Sequence, residues 1–487
     1  MKKTKFSGKI LVIGCGSVSR CTLPLLLKHI DINPKKITVI DFADCREYIS
    51  DSIQTGVNYD IVKITPENMH SVLSKYTSSG DMIVDLAWNI DCCEIMQWCH
   101  NHDVKYVNTS VEVWNPYDNK KYKTPQSKTL YARHMAIRKM TASWHVKGPS
   151  MIVEHGANPG LVSHFTKMAL KDIAEKIITE KPDDERSKIL PDLISKGDYP
   201  NIAKLSGTKV IHISERDMQI TNKPKETNEF VNTWSIEGLY EEGIAPAEMG
   251  WGTHEMELPN NVFLHNEGPM NQICLEQCGI RTKVHSWVPA GEIIGFMVRH
   301  GEAFTISDYL TVWEENKAVY RPTVHYAYCC SDSTIASLHE LEMRNFNLQP
   351  KLRIMTDEII SGKDELGVLL MGHDFKSWWC GSLLDINDAR SLLPHQNATT
   401  LQVAASVLAA VLWMIKNPSE GFHVPDELPY EEILGYARPY LGPVVSLQSD
   451  WTPMKDRKEF FRNYDFESDD NSKQNGDIEW QFKDFLV

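Results

Sequence analysis

Residues 9–25 read Lys-Ile-Leu-Val-Ile-Gly-Cys-Gly-Ser-Val-Ser-Arg-Cys-Thr-Leu-Pro-Leu. An apolar run, a glycine-bearing turn and an apolar helix follow without a break, the order in which a parallel α/β sheet begins when it holds a dinucleotide. Gly14 permits the tight turn, and Gly16 lets backbone approach a pyrophosphate. Ser17 and Val18 open a helix whose free N–H groups face that anion. The third glycine of the pattern is missing: Ser19 stands where close packing of helix on strand favours glycine.

Working outward, Ile37–Ile40 is a second apolar β-branched run with Asp41 at its carboxyl end, 25 residues after Gly16. An acid there hydrogen-bonds the ribose hydroxyls and repels a 2′-phosphate, which favours NAD over NADP; Arg46 is near enough to keep NADP open. Tyr59–Val62, Met82–Leu86, Tyr106–Asn108 and Ser150–Glu154 continue the strands, with helical stretches between them, as in a doubly wound parallel sheet. Ligands collect at the carboxyl ends of such strands, which nominates Trp88, Asn89, Thr109 and Glu112; loop capping is the alternative for Asn89.

Gly156-Ala-Asn-Pro-Gly160 leads into an amphipathic helix, with Asn158 placed as its N-cap and Pro159 as its first residue. Residues 180–200 are charged and carry Pro and Gly, and read as a surface excursion. From Gly207 to about Met371 short alternating strands take over, clearest at Lys209–Ile213, Val262–Leu264, Arg281–Trp287, Ile293–Arg299 and Val324–Tyr328. Leu401–Ile415 is apolar on most of its circumference and has to be buried, although it is shorter than a bilayer requires. The predicted fold is α/β. A Rossmann-type doubly wound parallel sheet occupies 1–154 and is completed by 392–445, an α+β, mainly β, substrate domain is inserted over 155–391, and a tail covers 446–487. Within the tail, Asp465–Asp477 reads as a flexible acidic linker and Ile478–Val487 as a docking segment.

The 487 residues predict two or three domains, and 42% hydrophobic with 24% charged residues is the composition of a soluble globular protein. A net charge of −14 argues against a nucleic-acid surface. The eleven cysteines are scattered, without a Cys-x-x-Cys or a metal-ligand spacing, which predicts reduced thiols, no metal and a cytoplasmic, membrane-free protein. The basic start runs directly into Gly14 and has no signal-sequence length.

Chemistry concentrates in Asn232–Glu257, which carries Trp234, Glu237, Glu241, Glu242, Glu248, Trp251, His254, Glu255 and Glu257, with Glu215, Arg216 and Asp217 upstream. Carboxylates beside an indole suit a ligand ammonium, since charge-assisted hydrogen bonds are strong and a desolvated ammonium over Trp gains about 0.5–2 kcal/mol. A solvated acidic face with Trp as core is the competing account. His300, next to Glu302, is a candidate proton shuttle.

Gly-Ala-Asn-Pro-Gly (156–160), Asn-Thr-Trp-Ser-Ile-Glu-Gly (232–238), Gly-Trp-Gly-Thr-His-Glu (250–255), Arg-Pro-Thr-Val-His-Tyr-Ala-Tyr (321–328), Asp-Glu-Leu-Gly-Val-Leu-Leu (364–370) and Arg-Pro-Tyr-Leu-Gly-Pro-Val (438–444) occur in that order along nearly the whole chain. By these stretches it resembles the bacterial homospermidine synthases, relatives of the saccharopine dehydrogenase-like enzymes. The resemblance implies a dimeric enzyme holding NAD that is reduced and reoxidised within one cycle. Putrescine becomes an imine, ammonia leaves, a second putrescine attacks, and the new imine is reduced to homospermidine. It also implies that Trp234 stabilises cationic intermediates, that Glu215 and Glu242 anchor ammonium groups, and that Asn158, Glu112, His300, Glu302 and Asp364 line the rest of a diamine tunnel. Ser19 and Cys21 depart from expected glycines and Asn89 from an expected aspartate near the amine. The base that deprotonates the amine is left between His300 and a glutamate of raised pKa. An NADPH-dependent saccharopine or carboxynorspermidine-type reductase is the nearest alternative. Its carboxylated substrates need a cationic partner, and 232–257 contains no Arg or Lys. A nucleotide-sensing protein without turnover is the third reading.

Overall fold

The computed structural model describes residues 3–118, 120–455 and 480–487; Asp465–Asp477 lies outside them. Strands β1 (Ile10–Ile13), β2 (Ile37–Asp41), β3 (Asn58–Ile61), β4 (Met82–Asp85), β5 (Lys105–Asn108) and β6 (Met151–Ile152) pair in parallel in the order β3-β2-β1-β4-β5-β6. Phe422–His423 adds a parallel strand beside β6 after the chain has returned from elsewhere. The order reverses direction at β1, so a crevice opens at the carboxyl ends of β1 and β4. Gly14, at φ +91°, makes the turn there, and a Cβ on it would stand 2.8 Å from the Leu86 carbonyl oxygen. Helix α1 (Ser17–His29) follows directly.

A second sheet is built mainly from the chain between β6 and the returning strand, with one further strand after the return. Its strands are β7 (Val210–Asp217), β8 (Pro246–Gly250), β9 (Val262–Leu264), β10 (Gln272–Cys278), β11 (Lys283–Val288), β12 (Gly291–Phe296), β13 (Thr323–Cys329), β14 (Lys363–Met371), β15 (Ser377–Asp385) and β16 (Val444–Ser449). They run in the order β9-β10-β8-β13-β7-β14-β15-β16, with the β11–β12 hairpin attached through β13. The central pair β7 and β13 is parallel, register Glu215 to Tyr328. Side chains alternate across strands, so this pair carries two different surfaces. Glu215, Tyr326 and Tyr328 share one face. His212 and His325 share the other, where the rings of Phe485 and Phe482 cover them.

The sheet extends through β16, so residues 444–449 are a paired edge strand rather than the start of a tail. Residues 480–487 do dock: Trp480, Phe482 and Phe485 join a buried cluster with Val210, Trp379 and Trp451, and Val487 donates its amide to the Lys283 carbonyl at 3.1 Å.

The expected surface excursion at 180–200 is instead helical. After α2 (Leu130–Thr141) and α3 (Leu161–Glu180) come α4 (Arg186–Lys196) and α5 (Tyr199–Ser206), which pack on α3. Leu190, Leu193 and Ile194 recur at helical spacing among the charges and supply the apolar stripe. The helix predicted at Leu401–Ile415 extends over Ala398–Lys416, long enough by length and composition to cross a membrane. Its strongest 18-residue stretch is 89% buried inside the protein, against α1 and the helix Tyr430–Ala437, which makes it a core helix.

Phe485 is fully buried against the back of β7 and β13. Phe485→Ala is expected to destabilise the fold by about 3–5 kcal/mol, readable as a lowered urea midpoint.

Candidate active site

A cavity of about 160 Å³ lies where the carboxyl ends of the parallel strands meet the front face of β7 and β13. Val18 of α1, Thr109 and Glu112 after β5, and Glu154 and Asn158 after β6 line it from one side. Glu215 of β7, Tyr326 of β13, Trp234 and Glu242 line it from the other, with His300. It is smaller than the ~300 Å³ at which pockets for drug-sized ligands begin, and suits a short aliphatic chain. A larger hollow of about 830 Å³ beside residues 255–261 and 481–486 is open to solvent and shares no lining residue with this cavity. Convergent charge, rather than size, identifies the site.

Local sequence places each group. Trp234 precedes helix α6 (Ile236–Ile244), whose N-cap Ser235 accepts the Gly238 amide at 3.1 Å. A Cβ on Gly238 would stand 3.1 Å from the indole, so glycine leaves room for the ring. The indole N–H donates to the Tyr328 hydroxyl at 3.0 Å, and Tyr328 stacks on Tyr326 with ring centroids 5.3 Å apart. Tyr326 in turn donates its hydroxyl to Glu215, and the Asn158 amide donates to the same Glu215 oxygen at 2.5 Å. Asn158 therefore serves the cavity and not the helix: α3 begins at Leu161 with Gly160 as its N-cap.

Burial in this network pushes the Glu215 carboxyl up to about 7 against the lowering bonds from Tyr326 and Asn158. Glu112 is likewise pushed up to about 7, first by burial and then by the Glu241 charge; Ser110 donates to it at 2.7 Å. His300 lies between two carboxylates, Nε2 at 3.1 Å from Glu242 and Nδ1 at 3.1 Å from Glu302. Burial alone would lower the pKa of its ring, but Glu302 and Glu242 outweigh it and hold it well above the ordinary histidine range. That direction favours the imidazolium at His300, a proton donor rather than the free base.

Three residues expected to touch a substrate sit behind the surface. Glu302 is fully buried under His300 and does not line the cavity. Asp364 accepts from Thr399 at 2.5 Å, and Thr399 is the group exposed to the cavity. Asn89 holds a left-handed turn at φ +57°, where Asn is tolerated, and offers its backbone N–H toward Glu112 at 3.4 Å.

Sequence reading did not find Arg133, Glu154, Arg299 or Tyr326 as lining residues, nor place Glu241 there. Both arginines pair with Glu241, Arg133 at 2.6 Å. Against burial, Arg299 and Arg133 keep that carboxyl below its ordinary range. The cavity thus holds five glutamates, 112, 154, 215, 241 and 242, and two arginines spent on one of them.

At the mouth of β1, a Cβ on Gly16 would meet nothing within 4 Å, and Gly16 supplies no side-chain cap to α1. That open space over uncapped first-turn amides fits a pyrophosphate. Ser19 compensates for the missing glycine by donating its hydroxyl to the Gly14 carbonyl at 2.6 Å. Asp41 accepts the Cys15 and Ala43 amides at 2.7 and 2.9 Å, which fixes its carboxylate at the end of β2. Arg46 is paired with Asp44 at 2.5 Å.

Comparison with known proteins agrees with this geometry. Residues 10–152 match the saccharopine dehydrogenase NADP binding domain and 156–446 the saccharopine dehydrogenase C-terminal domain. Fold and site thus define a saccharopine dehydrogenase-like enzyme. Homospermidine synthases of Mesorhizobium japonicum and Blastochloris viridis are 37% and 36% identical, each over 99% of this chain and 97% and 98% of theirs. The crystal structure of the Legionella pneumophila homospermidine synthase in complex with NAD superposes with a TM-score of 0.85 at 34% identity, covering 100% of this chain and 99% of that one. The chain belongs to the homospermidine synthase family.

Cation affinity requires Glu112 and Glu215 ionised, so kcat/KM for a diamine is expected to climb through about pH 7 and to lose part of that rise in Glu215→Gln. A profile flat across that range would contradict the assignment. Ring 15N shifts should report His300 protonated on both nitrogens at neutral pH.

Proposed function

We propose that the chain condenses two putrescines, or putrescine with spermidine, to homospermidine, with release of ammonia or diaminopropane and no net redox change. NAD, when bound, supplies a reversible hydride acceptor for the amine carbon. The residues that would hold it are Gly14, Gly16, Ser17, Val18, Asp41 and Thr109. Asp41, fixed by two amides, and Arg46, occupied by Asp44, support NAD over its 2′-phosphorylated form.

In this reading Glu215 and Glu242 receive ammonium groups, and Glu112 receives the far end of the chain. Trp234 lends its ring face to the cationic imine; its tether to Tyr328 fixes the plane of the ring without using that face. Amine oxidation needs a neutral nitrogen. Glu215, with its pKa near neutrality, takes the proton, oriented by Asn158 and Tyr326. His300 protonates the departing amine, and Glu302 behind it keeps the imidazolium charged. Asp364 acts through Thr399 and Asn89 through Glu112, as positioning residues.

The observation that carries the reading is the enclosure of the Trp88 and Trp234 indoles with Glu112, Glu215 and Glu242, three carboxylates that make no arginine ion pair. A carboxylated substrate would need a free guanidinium there, and both are bound to Glu241. In this reading residues 1–154 serve the cofactor together with the expected 392–445, less the β16 residues 444 and 445, and 155–391 serve the diamine. The assembly is a cytoplasmic homodimer, for which light scattering should return twice the 55.6 kDa chain mass.

Purified protein with NAD and putrescine is expected to yield homospermidine and ammonia by mass spectrometry, without accumulating NADH. NADPH oxidation dependent on a keto acid would favour the reductase instead. Trp234→Ala should lower kcat/KM by about 3- to 30-fold, and Trp234→Phe by less.

A further inference from the structure

Glu154 stands at the carboxyl edge of the parallel sheet, one residue past Val153 and beyond the end of β6, where ligands gather in such folds. Only 1% of it is exposed, and it lines the cavity. Its backbone holds φ +57°, a left-handed conformation uncommon for glutamate, and its amide is fixed by the Asn108 side chain at 2.8 Å. The carboxylate accepts from His134 Nε2 at 2.8 Å. His134 comes from α2 and is itself buried, its ring tilted against Phe304 at 5.1 Å. A buried acid kept in a strained backbone state at a functional crevice calls for a reason beyond packing.

That reason lies across the cavity. Both carboxyl oxygens of Glu154 rest on Gly301, where a Cβ would come within 2.0 Å of Oε2 and 2.2 Å of Oε1. Gly301 joins His300 to Glu302, and its φ of −67° is open to any residue, so glycine is needed there for room rather than for conformation. The contact is the point at which the cofactor sheet bears on the turn that presents His300. We propose that Glu154, oriented by His134, is a positioning residue that sets the His300 turn against the cofactor crevice by seating its carboxylate on Gly301. The inference rests on the proposed diamine chemistry only in giving His300 a proton to deliver.

A double-mutant cycle tests it. Glu154→Ala removes the seat, and Gly301→Ala forces the carboxylate off it. Each is expected to lower kcat by about 10- to 100-fold while KM for putrescine stays within about threefold, because the ammonium anchors are elsewhere. The double variant should be no slower than the slower single one, since the added methyl enters the space that the carboxylate vacated. Glu154→Gln keeps the volume and an acceptor for His134 and should stay within about fivefold of the parent. Equal losses in the Gln and Ala variants would mean that charge matters and position does not; multiplicative losses in the cycle would mean that the contact transmits nothing. Either result overturns the proposal. The acid limb of the pH–kcat profile should move in Glu154→Ala and return in Glu154→Gln, which lost stability alone would not produce; thermal melts identify any variant that fails to fold. If the unsubstituted protein forms no homospermidine, the functional reading fails by itself, and the ring 15N shifts of His300 across the same variants still decide the inference.

Discussion

The structure depends on one electrostatic constraint: around one cavity, carboxylates are gathered out of water with fewer cations than negative charges. An isolated buried carboxylate costs several kcal/mol or protonates. Here the charge is managed in three ways. Glu241 is neutralised by Arg133 and Arg299. Glu242 and Glu302 share the proton-rich His300. Glu215 and Glu112 rise to about 7 and stand at the edge of ionisation. In the proposed reading a dicationic ligand completes the balance, and binding and ionisation then reinforce one another in a cavity of low dielectric.

The fold makes this arrangement possible because each surface comes from a rigid source. One wall is the carboxyl edge of a parallel sheet, where strand ends and following loops converge. The other is the front of a mixed sheet whose back is sealed by the terminal aromatics Phe482 and Phe485. Tyr326 and His325 are consecutive, yet one bonds a carboxylate in the site while the other sits beneath the chain terminus. The period of two along a strand separates chemistry from core within a single residue step.

Much of this was legible in the chain. The glycine turn with Asp41 fixes the parallel sheet, and the alternation beyond residue 207 marks the second one. Trp234, Glu215, Glu242, His300, Asn158 and Glu112 do converge in one cavity. The misses have physical causes. The apolar stripe of α4 is diluted by charges to a pattern resembling a loop. The role of Asn158 as a helix cap was equally consistent with its local sequence, and only the partner strand, remote in the chain, gives it Glu215. Arg133 sits among other basic residues on α2, and nothing near it in sequence announces Glu241, 108 residues away. Glu154 could have been found, since it ends a predicted strand where ligands gather.

The distribution of the two arginines also decides what the site refuses. A reductase acting on amino or keto acids offers a carboxylate, and a guanidinium is its natural partner. Arg133 and Arg299 face the cavity, so a count of charges alone would allow such a substrate. Their geometry does not: Arg133 spends Nη1 on the Val111 carbonyl and Nη2 on Glu241, while Arg299 spends its two Nη groups on the Lys128 carbonyl and Glu241. Releasing either to a ligand would break one of the two ion pairs that hold Glu241 ionised while buried, a loss that one new ion pair offsets at best. In the proposed reading, selectivity for amines over amino acids rests on there being no unpaired arginine among the described residues that line the cavity, as much as on the acids that remain.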